Sequence, residues 1–426
     1  MTPHDTAFQF AAANLRFGTG ITREVGQDLV DLDVKRTMLL IDPAIGDTQM
    51  AETVRSSLKA ARVEFDVFDR IVVEPTDASF REAALHAHRG RFDSFVALGG
   101  GSTIDTAKAA NLYSTHEADF FDFVNAPIGK GLPVPGPIKP LIAIPTTAGT
   151  GSETTGVAIF DYVDQRAKTG ISHRYLKPTL GIVDADNTRT LPPAVAAASG
   201  LDVLSHALES YTAIPYTSRP RPARPLERPA YQGCNPISDV WALRALELVA
   251  EFLYRAVADS TDDEARSNML LASAIAGIGF GNAGVHLPHG MSYPVAGMVK
   301  DYRPPGYHVD HPLVPHGVSV ILHTPAVVRF TASAARERHL RAAHALGADI
   351  AGLAPESAGD VLAARVIHFM RAVDMPNGLN AVGYTEADIP ALVEGTLPQH
   401  RVTKLSPRPA GPEELAELFR ASMRLW

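Results

Sequence analysis

The sequence predicts an α/β N-terminal domain with a Rossmann-like parallel sheet over residues 1–190, followed by an all-α C-terminal domain over 191–426. Three observations predict it. The 426 residues exceed what one ordinary core organises, and 46% hydrophobic with 20% charged residues marks a globular chain. Short apolar runs alternate with amphipathic stretches up to about residue 190. After Pro192 the strand signals stop and a 3.6-residue period takes over.

In the first half, residues 37–42 (TMLLID), 63–69 (VEFDVFD), 94–100 (SFVALGG) and 140–146 (PLIAIPT) read as strands. Helical patterns over 48–62, 77–90 and 102–113 lie between them, and this alternation is the mark of a parallel sheet. In the second half the helical stretches are 193–213, 238–257, 262–280, 313–330, 336–347, 356–373 and 412–425. The segment 213–236 carries six prolines and the arginines Arg219, Arg221, Arg224 and Arg228, so it is a long loop.

A net charge of −8 with no Lys/Arg-rich run excludes a nucleic-acid backbone as partner. No apolar run approaches the roughly 18 residues of a membrane span, because each breaks at Gly, Pro or charge. The single cysteine, Cys234, forms no internal disulfide, and residues 1–10 lack a charged segment followed by an apolar one. A soluble, cytoplasmic protein is expected.

Two loops carry nucleotide chemistry. Gly99, Gly100, Gly101, Ser102 and Thr103 stand between an apolar strand and a helix start, where backbone N–H groups and a helix dipole suit a pyrophosphate. Three glycines also make an ordinary tight turn. A second loop, Pro145 to Glu153 (PTTAGTGSE), offers Thr146, Thr147, Thr150 and Ser152 between glycines, again at a strand's C-terminal end. Asp42 ends the first strand, where a carboxylate accepts hydrogen bonds from a ribose and repels a 2′-phosphate; beside Pro43 it also reads as a turn residue.

A metal signal lies further on. Asp202 and His206 share a helix face one turn apart, a spacing that also suits a plain hydrogen-bonded pair. Five of the sixteen histidines, His286, His289, His308, His311 and His316, fall between residues 286 and 316. His289 and His316 each stand in a Pro-His-Gly triplet that opens an apolar segment. One carboxylate with three imidazoles suits Fe(II) or Zn(II), and donor type alone does not choose between them.

The GGGSTID-x-AK turn, the PTTAGTGSE loop, the GLD-x-L-x-HA-x-E helix and the two His-Gly segments, in that order, resemble the iron-containing (group III) alcohol dehydrogenases over nearly the whole chain. The resemblance implies a dehydroquinate-synthase-like arrangement of a Rossmann-like and a helical domain. It implies Asp202, His206, His289 and His316 as metal ligands, and NAD contacts from Asp42, Gly100, Gly101, Ser102, Thr146, Thr147, Thr150 and Lys168. Within the family, residues 228–242, 277–297, 309–317 and 381–409 are similar to the hydroxyacid-oxoacid transhydrogenases. That likeness implies hydride transfer from 4-hydroxybutyrate to 2-oxoglutarate through a retained nicotinamide, in a homodimer or larger homo-oligomer. An ordinary NAD-dependent dehydrogenase and a noncatalytic nucleotide- or metal-binding protein are the other readings.

One departure concerns the proton path. Tyr293 stands four residues after His289, where many members of the family have a histidine, and a phenol with an ordinary pKa near ~10 is a poor base at neutral pH. Tyr293 then orients a hydroxyl or closes the pocket, and His286 takes the relay or is a satisfied structural histidine. Glu74, where many relatives have an amide or Asp, receives no role. The arginines of 219–228, Arg303, Lys404 and Arg408 are the candidate holders of a substrate carboxylate, although the arginine loop reads first as a solvated surface insertion.

Overall fold

The computed structural model describes residues 4–426 apart from Arg166 and His308. Two compact units result: Ala12–Leu191, and the segment ending at Ala11 together with Pro192–Trp426.

The first unit holds β1 (Leu15–Gly18), β2 (Arg36–Ile41), β3 (Glu64–Phe68), β4 (Ser94–Gly99), β5 (Leu141–Pro145), β6 (Val157–Tyr162), β7 (Ala167–Ser172) and β8 (Leu180–Asp184). Six of them form a parallel sheet in the order β1-β8-β5-β4-β2-β3, and β6 with β7 makes a separate antiparallel pair. Both faces of the sheet are covered. Leu39 and Ile41 enter one buried cluster and Met38 and Leu40 the other, so β2 is continuously apolar from Met38 to Ile41 rather than alternating.

The helices of this unit are α1 (Val25–Asp31), α2 (Gln49–Ala60), α3 (Asp77–Gly90), α4 (Gly101–Thr115) and the short α5 (Phe120–Phe123). Met50, Ala51, Val54 and Leu58 give α2 its buried stripe, and Thr76 caps α3 by accepting from the Ser79 N–H. From β2 the chain builds outward to β3, then crosses back to place β4 on the other side. The C-terminal ends of β2 and β4 therefore flank the switch point at which parallel sheets receive ligands.

The second unit contains α6 (Pro193–Thr212), α7 (Pro236–Ala258), α8 (Asp263–Ala283), α9 (Leu287–Gly297), α10 (His316–Ile321), α11 (Thr324–Thr331), α12 (Arg336–Ala345), α13 (Ala358–Ala372), α14 (Ile389–Thr396), α15 (His400–Thr403) and α16 (Pro412–Ser422). The stretch expected as one helix over 313–330 is two, because Pro325 opens a new helix at α11. Helices α14 and α15 were not expected, and α9 was expected only as a helix start near His289, its extent hidden by Pro288 and Pro294. Residues 213–235 hold short turns and no α-helix, and Pro236 opens α7. The C-terminal stretch packs within this unit, with Leu415, Leu418 and Phe419 buried. No single helix among the described residues is long and apolar enough to cross a membrane.

The segment before Ala12 belongs with the helices rather than with the sheet. Buried Asp5 accepts from Arg219 at 2.7 Å and from Arg228 at 3.0 Å. Gln9 and Gln232 bond each other's backbone and amide, and Ala11 does the same with Asn282.

Candidate metal centre and dinucleotide loops

Helix α6 carries Asp202 and His206 one turn apart, both buried. His289 lies in the first turn of α9 and His316 opens α10, so both imidazoles sit at helix starts. The glycine after each histidine has a steric reason. A Cβ on Gly317 would stand 2.0 Å from the Ala198 carbonyl of α6, and one on Gly290 would stand 2.6 Å from Thr403 of α15. Only a residue without a side chain lets these helices approach so closely beside a histidine.

The four side chains each aim a donor atom at one spot, all within 4.8 Å of one another. Asp202 lies 3.7 Å from His206 and 3.8 Å from both His289 and His316. The rings of His206 and His289 stack at 4.7 Å between centroids, and Phe280 covers the His206 ring at 4.0 Å. His316 alone is partly exposed, which marks the side that solvent reaches. Nε2 of His289 is buried without a hydrogen-bond partner. Such an atom beside a carboxylate and two further imidazoles fits a divalent ion of the Fe(II) or Zn(II) kind.

Glu209, one turn beyond His206 on α6, orients the centre. Its Oε1 takes a hydrogen bond from His289 Nδ1 at 2.6 Å, and its Oε2 takes the His286 N–H at 2.6 Å. Burial alone would raise the Glu209 carboxyl, but His289 and the His286 N–H hold it below the usual carboxylate range. A carboxylate that accepts from Nδ1 places the imidazole proton there and leaves Nε2 as a lone-pair donor. Sequence reading passed over Glu209; its spacing of seven from Asp202 and three from His206 puts it on the same helix face.

The remaining histidines separate. His286 is buried, contacts Thr212 at 3.0 Å through Nε2, and is pushed down to about 4 by burial, so it is neutral at pH 7. His311 is exposed beside Asp310, and His308 lies outside the described residues. The phenol of Tyr293 accepts from Arg401 Nη2 at 3.1 Å.

The candidate carboxylate holders are mostly committed elsewhere. Arg219 and Arg228 both serve Asp5, which makes half of the arginine loop a structural clamp rather than a solvated insertion. Arg303 donates to the Asp310 carbonyl and Arg408 to that of Phe330, and Arg303, Lys404 and Arg408 are all exposed.

In the first unit the glycine turn and the threonine loop pack on each other. The Thr146 N–H donates to the Gly99 carbonyl at 3.1 Å. A Cβ on Gly99 would meet Thr103 at 2.2 Å, one on Gly100 would meet Thr147 at 3.3 Å, and one on Gly101 would meet Thr150 at 2.6 Å. Asp42 follows β2 across the switch point; burial raises its carboxyl while the Ala44 N–H pulls it back.

Beneath these loops lies a buried polar layer. Lys108 reaches Ser152 at 2.5 Å and the Val157 carbonyl at 2.7 Å, and Asp105 takes Ser152 and the Ile159 N–H. Ser152 and Thr103 are fully packed and shape the loops from within. Lys168 is held by Glu74 at 2.7 Å and Asp161 at 2.9 Å, while the Glu74 N–H donates to Ser102. Glu74, given no role from the sequence, thus ties Lys168 to the glycine turn. Glu153 is buried and pushed up to about 7 by that burial.

Most of the chain is similar to known proteins. Residues 12–185 fit the family model for iron-containing alcohol dehydrogenase, and 229–423 that of the family's C-terminal part. The mitochondrial hydroxyacid-oxoacid transhydrogenases of Bos taurus and Homo sapiens are 57% and 56% identical over 99% of this chain and 91% of their own length. Among solved structures, a 1,3-propanediol oxidoreductase superposes with a TM-score of 0.85 at 26% identity, over 98% of this chain and all of the other. Sulfoacetaldehyde reductase from Bifidobacterium kashiwanohense, solved with NAD+, gives 0.79 at 25% identity over 98% and 99% of the two chains. The cytoplasmic expectation is corrected by these names: the transhydrogenases are called mitochondrial, which indicates that setting instead. A single cysteine forms no internal disulfide in any compartment, so Cys234 does not separate one setting from another. The parallel sheet, the helical second unit and the full-length matches agree: the chain belongs to the iron-containing alcohol dehydrogenase family of oxidoreductases acting on CH–OH donors, with hydroxyacid-oxoacid transhydrogenases among its relatives.

Proposed function

We propose that the chain is a hydroxyacid-oxoacid transhydrogenase that moves a hydride from 4-hydroxybutyrate to 2-oxoglutarate, giving succinic semialdehyde and 2-hydroxyglutarate, through bound NAD. The observation that carries the reading is 57% identity to such an enzyme along 99% of the chain, with four metal donors gathered within 4.8 Å.

Asp202, His206, His289 and His316 hold a divalent ion, Fe(II) by the family's name. Such an ion supplies Lewis acidity, lowering the pKa of a substrate hydroxyl and polarising a carbonyl in the reverse direction, and the nicotinamide supplies the hydride acceptor. Glu209 fixes a proton of His289 on Nδ1 and so aims Nε2 at the ion. Phe280 covers one face of His206 and keeps water from it. Tyr293 closes the pocket with its phenol fixed by Arg401, and His286 remains neutral and positions Thr212. Asp42, Gly99, Gly100, Gly101, Ser102, Thr146, Thr147 and Thr150 receive the dinucleotide, while Thr103, Ser152 and Lys168 set the shape of its loops. Retention of the reduced nicotinamide lets an oxoacid collect the hydride. The protein works as a homo-oligomer; Ile237, Val240 and Tyr254, exposed along α7, support this.

The test is to purify the protein without added nucleotide, mix it with 4-hydroxybutyrate and 2-oxoglutarate, and follow 2-hydroxyglutarate together with protein-bound NAD and metal. Turnover with about one retained nucleotide per chain is expected. Product only on addition of free NAD would instead make the protein an ordinary dehydrogenase with exchangeable cofactor.

A further inference from the structure

Arg401 stands on α15, the short helix that Gly290 admits against α9 next to His289. Its Nη2 donates to the Tyr293 hydroxyl at 3.1 Å, its side chain also bonds that of Tyr231, and its Cζ lies 4.9 Å from the Tyr231 ring centre. Nη1 is buried with no hydrogen-bond partner. Arg219 and Arg228 have Asp5 and Arg338 has Asp239, but among the described residues no carboxylate pairs with Arg401. A desolvated guanidinium with an unfilled donor and no counter-charge is costly, and an arriving carboxylate removes that cost.

The position is tied to the metal centre from two directions. Tyr293 lies one turn beyond His289 on α9, and Tyr231 meets Phe280 edge-on at 6.4 Å, the ring that stacks on His206. Residues 228–242, 277–297 and 381–409, the stretches most like transhydrogenases, contribute Tyr231, then Phe280 and Tyr293, then Arg401.

We infer that Arg401 takes a carboxylate of the substrate and thereby sets the preference for hydroxy and oxo acids over neutral alcohols. The planar fork of the guanidinium, with Nη1 unfilled, matches a carboxylate laid alongside it. The two tyrosines keep the fork in one plane before the acid arrives. This assignment deepens the transhydrogenase reading and rests on it for the identity of the acids.

The test uses metal-loaded, full-length protein as wild type, Arg401→Gln and Arg401→Lys, each checked for stoichiometric metal. Binding of glutarate, an unreactive dicarboxylate, is titrated calorimetrically, and kcat/KM is compared for 4-hydroxybutyrate and butan-1-ol. A hydrogen-bonded charge is worth about 1.5–3 kcal/mol, so Arg401→Gln is expected to weaken glutarate by about 10- to 150-fold. Its acid-to-butanol kcat/KM ratio is expected to fall at least about tenfold, mainly through the KM of the acid. Arg401→Lys, which keeps the charge but not the fork, is expected to fall between. Glutarate that fails to bind the wild type, glutarate bound equally by wild type and Arg401→Gln, or an equal loss on acid and alcohol, each overturns the assignment. Glutarate bound through Arg401 by an enzyme that passes no hydride to 2-oxoglutarate leaves Arg401 assigned and overturns the transhydrogenase reading alone.

Discussion

The metal centre and the dinucleotide loops are built on opposite principles. The centre gathers side chains from α6, α9 and α10, up to 114 residues apart, and what matters is which atoms they present. The loops at β4 and β5 are local, and what matters at Gly99, Gly100 and Gly101 is the space a side chain would have filled. A ligand set is broken by taking atoms away, and a backbone cradle by adding them. The two regions should therefore fail in different ways.

The largest expected effect is on the centre. His206→Ala removes a ligand, and the Lewis acidity lost with the ion amounts to several kcal/mol. At about 1.4 kcal/mol per tenfold, turnover should fall on the order of a thousandfold while bound NAD is kept; loss of both metal and NAD, measured on one sample, would break the comparison. Glu209→Gln should be milder. It leaves every ligand in place but weakens the hold on the His289 proton, and metal affinity should fall about 10- to 100-fold in a chelator competition.

Gly101→Ala probes the other region. The added methyl would stand 2.6 Å from Thr150, so the two loops must part, at a strain of about 1–3 kcal/mol. NAD affinity should drop about tenfold or more with metal content unchanged, and Thr150→Ser in the same chain should restore part of it by removing the offending methyl.

The smallest effect is on stability, read through Glu153. Its folded pKa of about 7 lies above the ordinary 4.5, so its contribution is fully present below pH 4.5 and lost as pH rises through 7. A shift of that size corresponds to at most ~3 kcal/mol at alkaline pH. Glu153→Gln should gain in Tm relative to wild type between pH 5 and pH 8, and a constant difference across that range would show that Glu153 is not ionising in place.

Much of this was legible in the sequence, and the exceptions have physical causes. The runs at 37–42, 63–69, 94–100 and 140–146 match β2, β3, β4 and β5 to within a residue or two, because the inner strands, covered on both faces, carry continuous apolar runs and the edge strand β3 alternates. β1 (LRFG) and β8 (LGIVD) were missed: each is short, glycine-bearing and charged at one position, and becomes a strand through its parallel partner. The extent of helix α9 was missed for its prolines, although its start and its histidine were found. Asp202, His206, His289 and His316 stood out by residue type and spacing, and Gly99 to Gly101 as a local motif. Glu209 and Arg401 did not stand out, since a single charged residue in a helix looks solvated until its burial and partners are known. The arginine loop misled for the matching reason, because its counter-ion, Asp5, lies 214 residues away.

That long separation also sets an order of assembly. The residues from Asp5 to Ala11 leave the ribosome well before the helical unit does, yet Gln9 and Ala11 bond residues that are 223 and 271 positions later. At about 5–20 residues per second, Ala11 waits on the order of tens of seconds for Asn282 to be synthesised. The sheet unit can fold during that interval, with its leading segment still unclaimed. Completion of the helical unit then recaptures that segment, so a fragment beginning at Pro192 would lack a piece of its own fold, and supplying residues 1–11 as a separate peptide would be a direct way to give it back.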